Sequence, residues 1–442
     1  MPKEAIWLLP GLRIKRWFLM IMTGTIFATL GVSVLFEQRP VYFFVRWIRD
    51  VAKTVPTELI GIVFLIIGAV VFLHGWQRSS YSILDVQDKR EKKSIFEILY
   101  RRRMLNRGPK VVAIGGGTGL STLLKGIKNI TNNITAVVTV GDDGGSSGRL
   151  REEMGVLPPG DIRNCIAALA DNEDLMTELM QYRFKNGEGL EGHSFGNLFL
   201  TAMCNITGDM VRAVRATSNV LSIRGRVLPA TLDDMRLVAE MEDGTIVKGE
   251  SLIPEAKKKI VRLYSEPKKC KPLEDVLDAI RHADLIILGP GSLYTSVIPN
   301  LLISEISREI SESNAKKVYI CNIMTQPGET DDFTVSEHVK TILEHAKYPD
   351  IIDTVIVNDR LPGSLINNYK TVNSIPVSLD LENLKQIGIN VEIRRLVGND
   401  EKLVRHNPYK LSRAIFAWYR KNTGKNGSQQ KGSSANVEKS LV

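Results

Sequence analysis

The chain has 442 residues, 43% hydrophobic and 24% charged, a balance that supplies a large core and excludes a mainly disordered or collagen-like protein. Its net charge of +9 is unevenly placed: residues 1–110 hold 18 basic and 8 acidic side chains, whereas residues 111–442 hold 40 and 41. The basic excess flanks the most apolar part of the chain instead of coating the folded part, which argues against nucleic acid as a partner.

In chain order, residues 17–36 carry no charge over 20 positions and residues 59–76 none over 18. Each run is long enough to cross a hydrocarbon core of roughly 30 Å as a helix. The first is too long for a signal-peptide core and a second follows it, so residues 1–76 are expected to form a transmembrane hairpin. Lys3, Arg13, Lys15 and Arg16 precede the hairpin, and Arg78, Lys89, Arg90, Lys92, Lys93 and the Arg101 to Arg103 triplet follow it. Those flanks place both termini and the domain beyond them on the cytoplasmic side of the cell membrane. The connector at residues 37–58 interleaves Tyr42, Phe43, Phe44 and Trp47 with Arg46 and Arg49, as an interfacial segment does. Residues 77–109 read as a basic juxtamembrane linker drawn to the anionic lipid bilayer, and residues 423–442 as a disordered polar tail.

Residues 110–422 alternate short apolar, β-branched runs with helical stretches. The runs at 111–114, 134–140, 284–288, 317–321 and 354–357 are nearly all apolar, the texture of strands buried on both faces of a parallel sheet. A Rossmann-like, doubly wound α/β fold is therefore expected. Residues 236–253 alternate instead around Asp243-Gly244, which predicts a β-hairpin accessory element. Cys165, Cys204, Cys270 and Cys321 form no C-x-x-C pair, so they read as reduced thiols, not as a zinc ribbon or a disulfide framework.

Polar loops follow these strands. Gly115, Gly116, Gly117, Thr118 and Gly119 join the first strand to a helix, a turn that lets backbone approach a diphosphate at a helix N-terminus. Leu120 and Ser121 break the G-x-G-x-x-G spacing, and no G-K-[ST] follows, so neither an NAD-dependent oxidoreductase nor a Walker site is indicated. After the second strand come Gly141, Asp142, Asp143, Gly144, Gly145, Ser146 and Ser147. Here the paired carboxylates are candidates for a ribose or for Mg2+ on a phosphate, with the serines as donors to anionic oxygens. Asp161, after Pro158-Pro159-Gly160, reads as a helix N-cap. His193, lodged among Gly, Ser and Asn, is the acid/base or phosphate-contact candidate. Two further loops carry Gly289, Gly291 and Ser292, then Asn322, Thr325, Gln326 and Glu329. Loops after four parallel strands gather on one sheet edge, where open α/β sheets bind ligands.

The motifs GGGTGLS, TVGDDGGSSGRLR, LPPGDIRN, GHSFGNL, ITGD, GPGSLYTS with PNLL, and NIMTQPGET occur in this order between about Pro109 and Arg420. This set resembles the YvcK/CofD-like family, and within it the gluconeogenesis-factor branch. The resemblance implies a nucleotide diphosphate ligand. In the YvcK branch it implies a UDP-sugar-binding regulator, such as one for UDP-N-acetylglucosamine, that links carbon metabolism to peptidoglycan precursor supply and cell shape. In the CofD branch it implies a Mg2+-dependent transferase that moves a phospholactyl group from a guanosine diphosphate donor to a deazaflavin in coenzyme F420 synthesis. The residues carried over to the nucleotide cleft are the 115–119 turn, Asp142, Asp143, Asn164, Asn197 and the 289–292 loop. No catalytic residue carries over. The membrane hairpin departs from the usual family pattern and brings cell-envelope proteins into view as partners, and a homo-oligomer is an expected assembly.

Overall fold

A computed structural model of the chain describes residues 14–35, 39–51, scattered positions from 59 to 74, and residues 103–171, 173–359, 374–398 and 404–424. Two compact units divide it, residues 1–104 and 105–442.

In the first unit, helix Ile14–Leu35 covers the first apolar run and helix Arg39–Val51 lies in the aromatic and basic connector. Among the described residues, no helix is long and apolar enough to cross a membrane, so the transmembrane hairpin expected from the sequence is not supported. Lys15 and Arg16 begin the first helix, and Thr23, Thr25, Thr29, Gly24 and Gly31 dilute its apolar character. Thr29 folds its hydroxyl back onto the Thr25 carbonyl at 2.7 Å. Half of the second run, most of the 77–109 linker and most of the tail lie outside the described residues.

The second unit is built on a seven-stranded sheet in the order β10-β9-β8-β7-β1-β2-β3. Its strands are β1 Val111–Gly115, β2 Ile134–Val138, β3 Arg226–Pro229, β7 Leu285–Leu288, β8 Lys316–Ile320, β9 Thr354–Asn358 and β10 Asn390–Arg394. All neighbours pair in parallel. Each of the five predicted runs is a strand here. Every residue of β1, β2 and β7 is buried, because helices cover both faces. Alternate side chains serve two cores: Val112, Ile114, Ile286 and Leu288 face one, and Val111, Ala113, Leu285 and Ile287 the other.

The chain runs outward from β1 through β2 to β3, then restarts on the other side of β1 with β7. That reversal creates a crevice beyond the carboxyl ends of β1 and β7, the usual ligand position in open α/β sheets. The predicted hairpin is present as β4 Arg236–Met241 and β5 Ile246–Lys248, and β6 Ile260–Glu266 extends it to a three-stranded antiparallel sheet. This accessory sheet is docked by His345, whose Nε2 accepts the Leu263 amide hydrogen at 3.0 Å, and by Gly328, where an added Cβ would stand 2.1 Å from the Pro254 carbonyl oxygen.

Candidate functional site

At the crevice, the glycine turn after β1 and the loop after β7 are packed into each other. A Cβ added at Gly119 would lie 2.4 Å from the Pro290 carbonyl oxygen, and one at Gly115 would lie 3.8 Å from Gly289 Cα. Gly117 adopts φ +59 as helix Gly117–Ile127 begins, a left-handed conformation that glycine takes without steric cost. Thr118 is exposed in that first turn.

Asp161 presses on this turn. Its Oδ2 would meet a Cβ at Gly116 at 2.5 Å. The expected N-cap role does not hold: Pro159 is the N-cap of helix Gly160–Leu169 and makes no side-chain cap bond. Asp161 lies one residue inside the helix, and its carboxylate turns back to the β1 turn. Burial, followed by Asp142, raises its pKa to about 6, while the Gly117 amide and Arg163 favour the charged form.

Beside the crevice lies a cavity of about 240 Å³. Asp142, Gly144, Ser146 and Ser147 line it from the loop after β2 and from helix Gly145–Met154. Asn164 and Asn197 line it from two further helices, together with Gly160, Asp161, Arg163 and Arg183. A buried polar network stiffens this wall. Arg163 Nη1 donates to Ser194 Oγ at 2.6 Å and to Asn197 Oδ1 at 2.9 Å, and its Nη2 donates to Asn164 Oδ1 at 3.0 Å. Asn197 Nδ2 donates to Ser146 Oγ at 3.1 Å, which lies 2.9 Å from His193 Nδ1. Burial and then the nearby Arg149 hold the His193 pKa below its ordinary value, so the imidazole is neutral near pH 7 and orients Ser146 from behind the cavity wall.

The two adjacent carboxylates take different amide partners. Asp143 accepts the amide hydrogens of Glu250 and Ser251, each at 2.9 Å, and so ties the β2 loop to the accessory sheet. Asp142 accepts the Gly144 amide through Oδ1 at 3.0 Å, and its Oδ2 is directed at Gly160. Both carboxylates are thus engaged by backbone amides of the chain. Among the described residues, no group of three or more His, Cys, Asp and Glu side chains is arranged for a metal ion.

The remaining predicted residues form a neighbouring cluster. Asn322 Nδ2 donates to the Gly291 carbonyl at 2.9 Å, and Gln326 Nε2 donates to Ser292 Oγ at 2.7 Å. Thr325 is buried and engages Ile375 through its hydroxyl and Ser374 through its carbonyl, away from the cavity. Glu329 belongs to the loop after β8 that the sequence singled out, whereas Glu250 lies in no such motif. Burial, then Asp142 and Asp143, pushes the Glu250 pKa up to about 8; burial alone pushes Glu329 to about 7 against bonds from Tyr294 and Thr295.

The family model for 2-phospho-L-lactate transferase CofD matches residues 111–397. The chain belongs to the CofD family. It is 50% identical over 309 residues to the Bacillus subtilis gluconeogenesis factor, covering 70% of this chain and 97% of that protein. A Nostoc sp. relative, also named as a gluconeogenesis factor, is 49% identical over 420 residues, 93% of this chain and 92% of its own length. A crystal structure of a Bacillus halodurans protein superposes with a TM-score of 0.68 at 49% identity, over 70% of this chain and all of that one. The superposition agrees with the α/β fold described above.

Proposed function

We propose that this CofD-family chain is a regulator that binds a nucleotide diphosphate compound, with a UDP-sugar of the UDP-N-acetylglucosamine type as the expected ligand. In this reading it links carbon metabolism during gluconeogenic growth to peptidoglycan precursor supply and cell shape. The observation that carries the reading is the convergence of the loops after β1, β2, β7 and β8 at one sheet edge, beside a polar cavity. Ligands of open α/β sheets bind at that edge. The gluconeogenesis-factor names of the relatives support the metabolic side. The basic excess of residues 1–110 and the exposed Tyr42, Phe43 and Trp47 of helix Arg39–Val51 support contact with an anionic lipid surface.

Calorimetric titration of the full-length protein with UDP-N-acetylglucosamine, guanosine diphosphate and NAD, each with and without Mg2+, tests this. Selective binding of the UDP-sugar without breakdown is expected. Preference for guanosine diphosphate, strengthened by Mg2+ and accompanied by turnover with a deazaflavin acceptor, would replace the regulator with a transferase.

A further inference from the structure

The cavity beside the crevice is lined by a buried arginine that no described carboxylate contacts directly. Arg163 is 8% exposed and its Nε has no hydrogen-bond partner. Its two terminal nitrogens reach only neutral oxygens, those of Ser194, Asn197 and Asn164, and no described carboxylate lies within ion-pair range. Burying an unpaired guanidinium is costly, and such groups are ordinarily paired. Burial and the neighbouring Arg183 press against its charge, and Asp161 and Asp142 favour it less strongly. Arg183 is exposed, lines the same cavity and spends one nitrogen on the Gly192 carbonyl.

Two further features point the same way. Helix Gly145–Met154 starts at the cavity with Gly144 as an N-cap that makes no side-chain bond, so no capping side chain occupies its first amides, and Ser146 and Ser147 lie in its first turn. Free amides at a helix start and arginine forks both favour an anion. The glycine turn after β1 faces the Asp161 carboxylate, and Asp142 accepts the Gly144 amide just before this helix. The cavity is also lined by Asp142 and Asp161, which repel phosphate and accept hydrogen bonds from hydroxyls.

We propose that this cavity is an anion subsite that takes one phosphate group of a sugar phosphate. Arg163, Arg183 and the start of helix Gly145–Met154 hold the phosphate, and Asp142 and Asp161 accept hydrogen bonds from the adjoining sugar hydroxyls. A volume of about 240 Å³ is below the roughly 300–1,000 Å³ of pockets that enclose a drug-sized ligand, so the subsite takes the sugar phosphate end and leaves a nucleoside outside it. The assignment deepens the nucleotide-sugar reading and rests on it for the identity of the whole ligand, but the phosphate seat stands on the arginines alone.

Asn164→Asp is the decisive variant. It keeps the acceptor that Arg163 Nη2 uses and supplies the missing carboxylate in the place of the phosphate, so the fold is retained and the seat is filled. Full-length wild type, Asn164→Asp and Arg183→Gln are titrated with inorganic pyrophosphate, N-acetylglucosamine 1-phosphate and UDP-N-acetylglucosamine, with melting curves run alongside. Affinity for all three is expected to fall at least tenfold in Asn164→Asp and severalfold in Arg183→Gln, with melting of Asn164→Asp no lower than wild type. If UDP-N-acetylglucosamine binds all three proteins equally, the subsite is overturned and the nucleotide-sugar reading stands. If the simple phosphates bind with the expected sensitivity and no nucleotide does, the subsite stands and that reading falls. Absence of binding by every probe to the wild type overturns both.

Discussion

Replacing Gly119 with alanine tests the apposition that defines the crevice. A methyl there stands 2.4 Å from the Pro290 carbonyl oxygen, 2.7 Å from its carbon and 2.8 Å from Gly291 Cα. All three are backbone atoms, so no side chain can swing aside. They are also anchored, because Gly289 donates its amide to the Ile114 carbonyl at 2.9 Å. Carbon atoms rest about 3.5–4.0 Å apart, so the β1 turn and the β7 loop must part by about 1 Å. Overpacking typically costs about 1–3 kcal/mol, and an immovable neighbour puts Gly119→Ala at the upper end, about 3 kcal/mol. At about 2–4 °C per kcal/mol for a domain near this size, melting should fall by about 6–12 °C. Gly145→Ala is the control: at φ +48 with nothing within 4 Å of its Cβ, it meets only the left-handed backbone penalty of about 1–2 kcal/mol. Thermal unfolding followed by circular dichroism, with urea midpoints as a check, separates the two. A Gly119→Ala protein that melts no lower than Gly145→Ala would refute the tight packing of the loops.

Three other outcomes follow from the cluster around the accessory sheet. The Glu250 pKa is raised in the fold from 4.5 to about 8, so the unfolded chain binds fewer protons between those values and stability from this group is lost as pH rises through that window. Glu250→Gln should therefore stabilise at pH 8, on the order of a few kcal/mol, and lose its advantage by pH 4; an equal effect at both pH values in urea titrations would contradict the burial of this carboxyl. Asp143→Ala leaves the Glu250 and Ser251 amides without their acceptor and should cost about 1–3 kcal/mol; unchanged hydrogen-exchange protection of those two amides would show that Asp143 does not tie the loop to the sheet. His345→Leu should cost a similar amount, again about 1–3 kcal/mol, by orphaning the Leu263 amide. Because burial lowers the His345 pKa below 6.5, wild type should also lose this contribution as pH falls below that value, and a pH-independent difference between the two proteins would speak against a neutral His345.

The parts of the sheet that were legible in the sequence are its interior. β1, β2, β7, β8 and β9 are buried on both faces and so are written as continuous apolar runs. β3 and β10 are the two edges of the sheet, and their sequences, RVLP and NVEIR, carry the proline and charges that edges tolerate. Those residues protect an edge and also erase the apolar signal. β6 was hidden similarly, since Val261 and Arg262 face solvent between buried neighbours. In the site, Asp142, Ser146, Ser147, Asn164 and Asn197 were legible because small polar loops stand out after apolar strands. Glu250 was not, because Asp143 reaches its amide across 107 positions and no local pattern records that contact.

The broken G-x-G-x-x-G spacing has a physical counterpart in the fold. In the dinucleotide fingerprint, one glycine admits the pyrophosphate and another lets helix and strand pack closely. In this chain Gly119 serves loop-to-loop packing against Pro290, and Gly116 makes room for the Asp161 carboxylate. A negative group of the chain therefore stands where the fold ordinarily offers amides to an anion. The positive side chains, Arg163 and Arg183, line the cavity beside that turn, together with the start of helix Gly145–Met154. The glycine-rich motif thus marks the sheet edge where the polar loops gather, while the two arginines of the cavity sit at a helix start, DIRN, and in a surface loop, YRFK.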